Sequence, residues 1–115
     1  MSESGWIGVD LDGTLAVYEW WNNGEIGKPV PLMLERVKSW ISEGVKVKIF
    51  TARVGVTFDE NYKNEMVKII QDWTEKYTGV RLEVTATKDF SMIELWDDRA
   101  VQVIPNKGLR ADGLR

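Results

Sequence analysis

Apolar and polar positions alternate along this chain in two periods. Trp6–Asp10 is a short apolar run ending at an aspartate and a glycine turn, Asp12-Gly13, and it reads as a strand. From Pro31 to Glu43 the period changes to that of a helix. Met33, Val37, Trp40 and Ile41 share one face, Pro31 suits the first turn, and Gly44 follows the last. Val45–Phe50 is the next strand. Its apolar residues alternate with Lys46 and Lys48, so it reads as half exposed, an imperfect match to a parallel strand covered on both faces. Asn61–Tyr77 carries the clearest apolar stripe, with Asp59 placed to cap it and Gly79 to stop it. Leu82–Thr85 and Ile93–Trp96 follow as strands, with Val101–Ile104 as a candidate fifth.

Strand, helix, strand, helix, strand predicts an α/β class chain: one Rossmann-like domain over residues 1–105 with a mostly parallel sheet. Residues 106–115 read as a polar C-terminal tail. Ala16–Val30 reads as a short hairpin flap with its turn at Asn22-Asn23-Gly24. No insertion is long enough for a cap domain.

Composition narrows the chemistry. The 115 residues contain no cysteine and no histidine, which removes thiolate nucleophiles, imidazole bases and zinc held by Cys or His. Any metal held by side chains meets oxygen ligands, which favours Mg²⁺, Mn²⁺ or Ca²⁺. Fifteen basic and eighteen acidic residues give a net charge of −3, so a basic field over the whole domain is absent. No run approaches the roughly twenty apolar residues that span a bilayer. No export signal opens the sequence, and a cytoplasmic location without membrane contact is the default expectation.

Parallel sheets bind ligands beyond the carboxyl ends of their strands. There the sequence sets Asp10 and Asp12 after the first strand, Thr51 after the second, Lys88 after the third, and Asp97 and Asp98 after the fourth. Each has an ordinary explanation alone. Aspartate favours turns, threonine favours strand ends, and lysine favours the surface. Adjacent Asp97 and Asp98 are harder to dismiss, because two carboxylates repel unless a cation or partner compensates. Independent accidents rarely place all of these at successive strand ends in a consistent order.

The string Asp10-Leu11-Asp12-Gly13-Thr14-Leu15, followed by Phe50-Thr51-Ala52-Arg53, Lys88 and Trp96-Asp97-Asp98-Arg99-Ala100, resembles the haloacid dehalogenase (HAD) superfamily of phosphohydrolases. It is similar to the small capless members found in bacteria and their phages, over about Trp6 to Ile104. The resemblance implies a Mg²⁺-dependent phosphomonoesterase. Asp10 is then the nucleophile that forms an aspartyl-phosphate, and Asp12 the general acid and base. Thr51 and Lys88 hold and neutralise the phosphoryl group. Backbone N–H groups near Ala52 help cradle it. The Mg²⁺ ligands are the Asp10 carboxylate, the Asp12 carbonyl and one or both of Asp97 and Asp98.

A capless site is open to a large substrate, or a second copy of the chain covers it. Trp20 and Trp21 lie in the flap and either stack on a base or sugar or pack under the hairpin and at an oligomer interface. Arg53 and Arg99 either bind a second phosphate or pair with local carboxylates. The expected substrate is a nucleotide or a polynucleotide 3′-phosphate. Two other classes are compatible with the same residues. One is a non-catalytic binding or assembly protein on the same scaffold. The other is a receiver-like signalling module, against which the order of the acidic motifs argues.

Overall fold

The computed structural model describes residues 5–20 and 23–114. Trp21 and Asn22, and with them part of the expected flap turn, lie outside the described residues, as do 1–4 and 115. The elements run β1 (Trp6–Val9), α1 (Pro31–Ser42), β2 (Lys46–Phe50), a 3₁₀ turn (Ala52–Val54), α2 (Glu60–Thr78), β3 (Glu83–Thr85) and β4 (Met92–Trp96). The strands form one sheet in the order β3-β2-β1-β4, and every neighbouring pair is parallel. The chain is thus an α/β domain with a Rossmann-like parallel sheet and no cap. Only short segments leave the ends of β1 and β2.

Local chemistry sets the helix limits. Asp59 accepts the Tyr62 N–H at 2.9 Å and caps α2, while Gly79 ends it with φ of 85°. That backbone geometry strains any residue with a Cβ. Pro31 opens α1, where its missing N–H would have had no helical partner.

Both helices pack on one face of the sheet. Met33 and Val37 of α1 and Ile70 of α2 join Ile7, Val9, Val47 and Ile49 in a single core. Side chains alternate along a strand, so Trp6, Gly8, Lys46 and Lys48 face the other way. Among the described residues no helix covers that second face. Trp6 covers part of it instead. Its indole lies across Gly8 beside Leu95 and Met92, with the Lys48 ammonium 4.4 Å above the ring. Its Nε1–H donates to Asp89 at 2.9 Å, and the residue is 2% exposed. The alternation of β2 is therefore real: Val47 and Ile49 face the helices, and Lys46 and Lys48 pair with Glu83 on the open face.

Val101–Ile104 does not join the sheet as a fifth strand. Asp97 Oδ1 accepts the N–H groups of Arg99 and Ala100, which turns the chain sharply after β4. The segment then pairs locally. The Ile104 N–H donates to the Leu109 carbonyl at 2.7 Å, and the Ala111 N–H to the Gln102 carbonyl at 2.8 Å. Among the described residues no helix is long and apolar enough to cross a membrane.

Candidate active site

The loop after β1 is built by alternation. Leu11 and Leu15 are fully buried, which turns Asp10, Asp12 and Thr14 toward the carboxyl edge of the sheet. The Ala16 N–H closes the loop on the Leu11 carbonyl at 2.8 Å, and the Gly13 N–H donates to the Ala16 carbonyl at 2.8 Å. The Asp10 N–H donates to the Trp96 carbonyl at 2.9 Å, so the ends of β1 and β4 are joined where their acids stand.

There Asp10, Asp97 and Asp98 each offer a carboxylate oxygen, and the three oxygens lie within 4.8 Å of one another. Thr14 Oγ1 sits between two of these acids, 3.4 Å from Asp10 Oδ2 and 3.3 Å from Asp98 Oδ1. Gly13 makes the approach of Asp98 feasible. Its φ is 91°, and a Cβ there would fall 2.6 Å from Asp98 Oδ2. The crowding has an electrostatic consequence. Burial, then a hydrogen bond with Asp98, then the charges of Asp97 and Asp98 push the Asp10 carboxyl up to about 7. The same hydrogen bond from Asp10 holds Asp98 below the usual carboxylate range.

Asp12 turns away from this trio. Arg53 grips it with a two-pronged ion pair, Nε to Oδ2 at 2.6 Å and Nη2 to Oδ1 at 2.8 Å. That pairing is the main reason the Arg53 guanidinium binds its proton even more tightly than usual. Thr51 lies across the cleft, 2% exposed, with its hydroxyl oxygen accepting the Arg53 N–H at 3.1 Å. Thr51 and Ala52 stand with the four aspartates around a cleft of about 400 Å³, and Tyr18 and Arg99 also line it.

The structure therefore gathers Asp10, Asp12, Thr51, Ala52, Arg53, Asp97 and Asp98 at one place. Lys88 is exposed on the segment between β3 and β4 and does not line the cleft. Trp20 is 77% exposed on the flap and is likewise outside the lining, while Trp21 lies outside the described residues. The flap is anchored at its base, where the Val17 N–H donates to the Lys28 carbonyl and the Val30 N–H to the Leu15 carbonyl. Trp73 Nε1 of α2 adds a bond to the Gly27 carbonyl at 3.1 Å.

Tyr18, Thr14 and Gly13 have roles that the sequence pattern did not assign. The last two fall inside the Asp10–Leu15 string, which was the signal available. Tyr18 lies just beyond that string, and nothing in its spacing marks it.

The donor set suits a hard divalent cation. It consists of carboxylate oxygens with the Thr14 hydroxyl beside them, and burial first, then the hydrogen bond and charges of its acidic neighbours, hold the Asp10 carboxyl well above the usual carboxylate range.

No family model and no curated protein matches the sequence. Among solved structures, the chain is similar to a conserved protein from Bacteroides thetaiotaomicron. The two share 20% identity with a TM-score of 0.57, over 87% of this chain and 80% of that one. At that identity the likeness concerns the fold.

Proposed function

We propose that this chain is a phosphomonoester hydrolase of the HAD type, working through an aspartyl-phosphate on Asp10 with Mg²⁺ as cofactor. The observation that carries the reading is the set of three carboxylates within 4.8 Å of one another, sharing one cleft with Thr51 and Asp12. Asp10, Asp97, Asp98 and the Asp12 carbonyl are the groups that would hold Mg²⁺. When bound, the ion withdraws charge from the phosphoryl oxygens and keeps Asp10 ionised.

In the first step an Asp10 oxygen forms a bond to phosphorus, and the bond to the leaving oxygen breaks. The electron pair leaves with that oxygen, which takes a proton from Asp12, a carboxyl that must give up one prong of the Arg53 fork to carry it. In the second step water attacks the same phosphorus and gives a proton to Asp12. Inorganic phosphate departs and the Asp10 carboxylate returns. Thr51 donates a hydrogen bond to a phosphoryl oxygen, and the N–H groups near Ala52 complete the cradle.

The substrate class is a nucleotide or a polynucleotide 3′-phosphate. The capless, open cleft supports that choice, and so does the exposed Arg99 at its rim, a suitable partner for a neighbouring phosphate.

Phosphate release tests the reading, with p-nitrophenyl phosphate, nucleoside monophosphates, sugar phosphates and a 3′-phosphorylated oligonucleotide as substrates. Release that requires both Mg²⁺ and Asp10 is expected. Activity retained by Asp10→Asn refutes the nucleophile. Silence on every substrate by a folded, Mg²⁺-binding protein favours the non-catalytic binding protein.

A further inference from the structure

Arg53 stands where a substrate-binding arginine would be expected, yet most of its five donors are engaged inside the protein. Two go to Asp12 at 2.6 and 2.8 Å, and Nη1 donates to the Gly24 carbonyl in the flap at 2.6 Å. The side chain is only 16% exposed. Its own N–H rests on the Thr51 hydroxyl at 3.1 Å. Arg53 therefore meets Thr51 through its backbone N–H, and joins the Asp12 carboxylate to the flap through one guanidinium.

The flap is shaped to meet it. Asn23 and Gly24 both have positive φ, 54° and 79°, a turn geometry that matches hairpin twist. This turn puts the Gly24 carbonyl within reach of Nη1. Behind the contact, Ile26, Met66, Ile69 and Trp73 line an apolar groove that Arg53 also borders.

We infer that Arg53 is a positioning residue, which fixes the Asp12 carboxylate and holds the flap at Gly24 in one contact set, so that the placement of Asp12 and of the Gly24 end of the flap depend on the same side chain. This rests on the hydrolase reading above for its catalytic consequence. The planar fork is essential to it, because a lysine ammonium can hold one partner but not the two-pronged arrangement.

The test compares wild type with Arg53→Met and Arg53→Lys on p-nitrophenyl phosphate and on a 3′-phosphorylated oligonucleotide. A positioning role lowers kcat about 100-fold for Arg53→Met on both substrates. KM stays within about threefold, and Arg53→Lys recovers part of the loss. A rise in KM confined to the oligonucleotide, with the aryl phosphate unaffected, overturns the inference and makes Arg53 a contact for a second phosphate.

Amide exchange gives a readout that needs no turnover. In Arg53→Met the Val17 amide at the flap base exchanges about tenfold faster, while Ile49 in the central sheet is unchanged. Asp12→Asn reproduces the effect, and the double variant adds little to it. Unchanged Val17 exchange in Arg53→Met overturns the inference. A wild-type protein without turnover, or an active Asp10→Asn protein, sinks the hydrolase reading while the exchange arm still decides the role of Arg53.

Discussion

Replacing Gly13 with alanine separates backbone strain from damage to the acidic trio. At φ of 91°, a Cβ costs about 1–2 kcal/mol from steric conflict with the local backbone. The new methyl group would also meet Asp98 Oδ2 at 2.6 Å. That oxygen ends a short, exposed side chain, so it swings away and the contact adds little to the loss of stability. The swing takes Asp98 out of the trio. For a domain of this size the strain corresponds to a fall in Tm of about 4–8 °C.

Gly79→Ala supplies the control. Its φ is 85°, and nothing lies within 4 Å of the added Cβ. Both variants should lose similar Tm without a cation. Mg²⁺ at a hundred times its Kd stabilises a single site by about 2.7 kcal/mol, roughly 10 °C here. Wild type and Gly79→Ala should show that gain, and Gly13→Ala should lose most of it. Thermal melts with and without Mg²⁺ read both effects. A Gly13→Ala protein that keeps the full Mg²⁺ gain would refute the reasoning, because the approach of Asp98 to Gly13 would then have no bearing on the site.

Two further expectations follow from titration and burial. Between its ordinary 3.8 and about 7, Asp10 keeps a proton in the folded state that the unfolded chain has released. Stability of the cation-free protein therefore falls as pH rises through that window, and Asp10→Asn should flatten the slope in urea melts. Asp98, with its pKa lowered, acts in the opposite sense and only at lower pH, as its carboxylate protonates. An unaltered slope in Asp10→Asn would assign it to another group. In the core, the Thr74 hydroxyl accepts the buried Leu82 N–H at 3.1 Å and donates toward the Gln71 and Val80 carbonyls, tying the end of α2 to the entry of β3. Thr74→Val strands that N–H and should cost about 1–3 kcal/mol by urea denaturation, and a change below about 0.5 kcal/mol would contradict the tie.

What the sequence revealed depended on whether the signal was local. Periodicity located both helices and four strands, because an amphipathic stripe such as Met66, Ile70 and Trp73 is written in consecutive turns. The cluster of acids was legible because each sits directly after an apolar run. Pairing of Arg53 with a local carboxylate was one of two readings, but the choice of Asp12 was not legible, since Arg53 reaches it only once β1 and β2 lie side by side. The second face of the sheet was half legible: Lys46 and Lys48 announced exposure, but nothing announced that Trp6 would cover Gly8. Val101–Ile104 has strand composition, and the Asp97 turn, a local bond of side chain to backbone that strand composition does not reveal, sends it elsewhere. Lys88 followed from position alone, and the loop that carries it holds it outside the cleft lining.

The order β3-β2-β1-β4 makes the first and last strands neighbours, and the acidic trio sits on their seam. Closing that seam encloses nearly the whole chain in one loop, the largest closure in the sheet. Without β4 the site would lack Asp97 and Asp98. Repulsion among Asp10, Asp97 and Asp98 also concentrates at this one junction. A cation held from both sides would act there as a reversible cross-link between the ends of the chain, tying completion of the fold to readiness for chemistry.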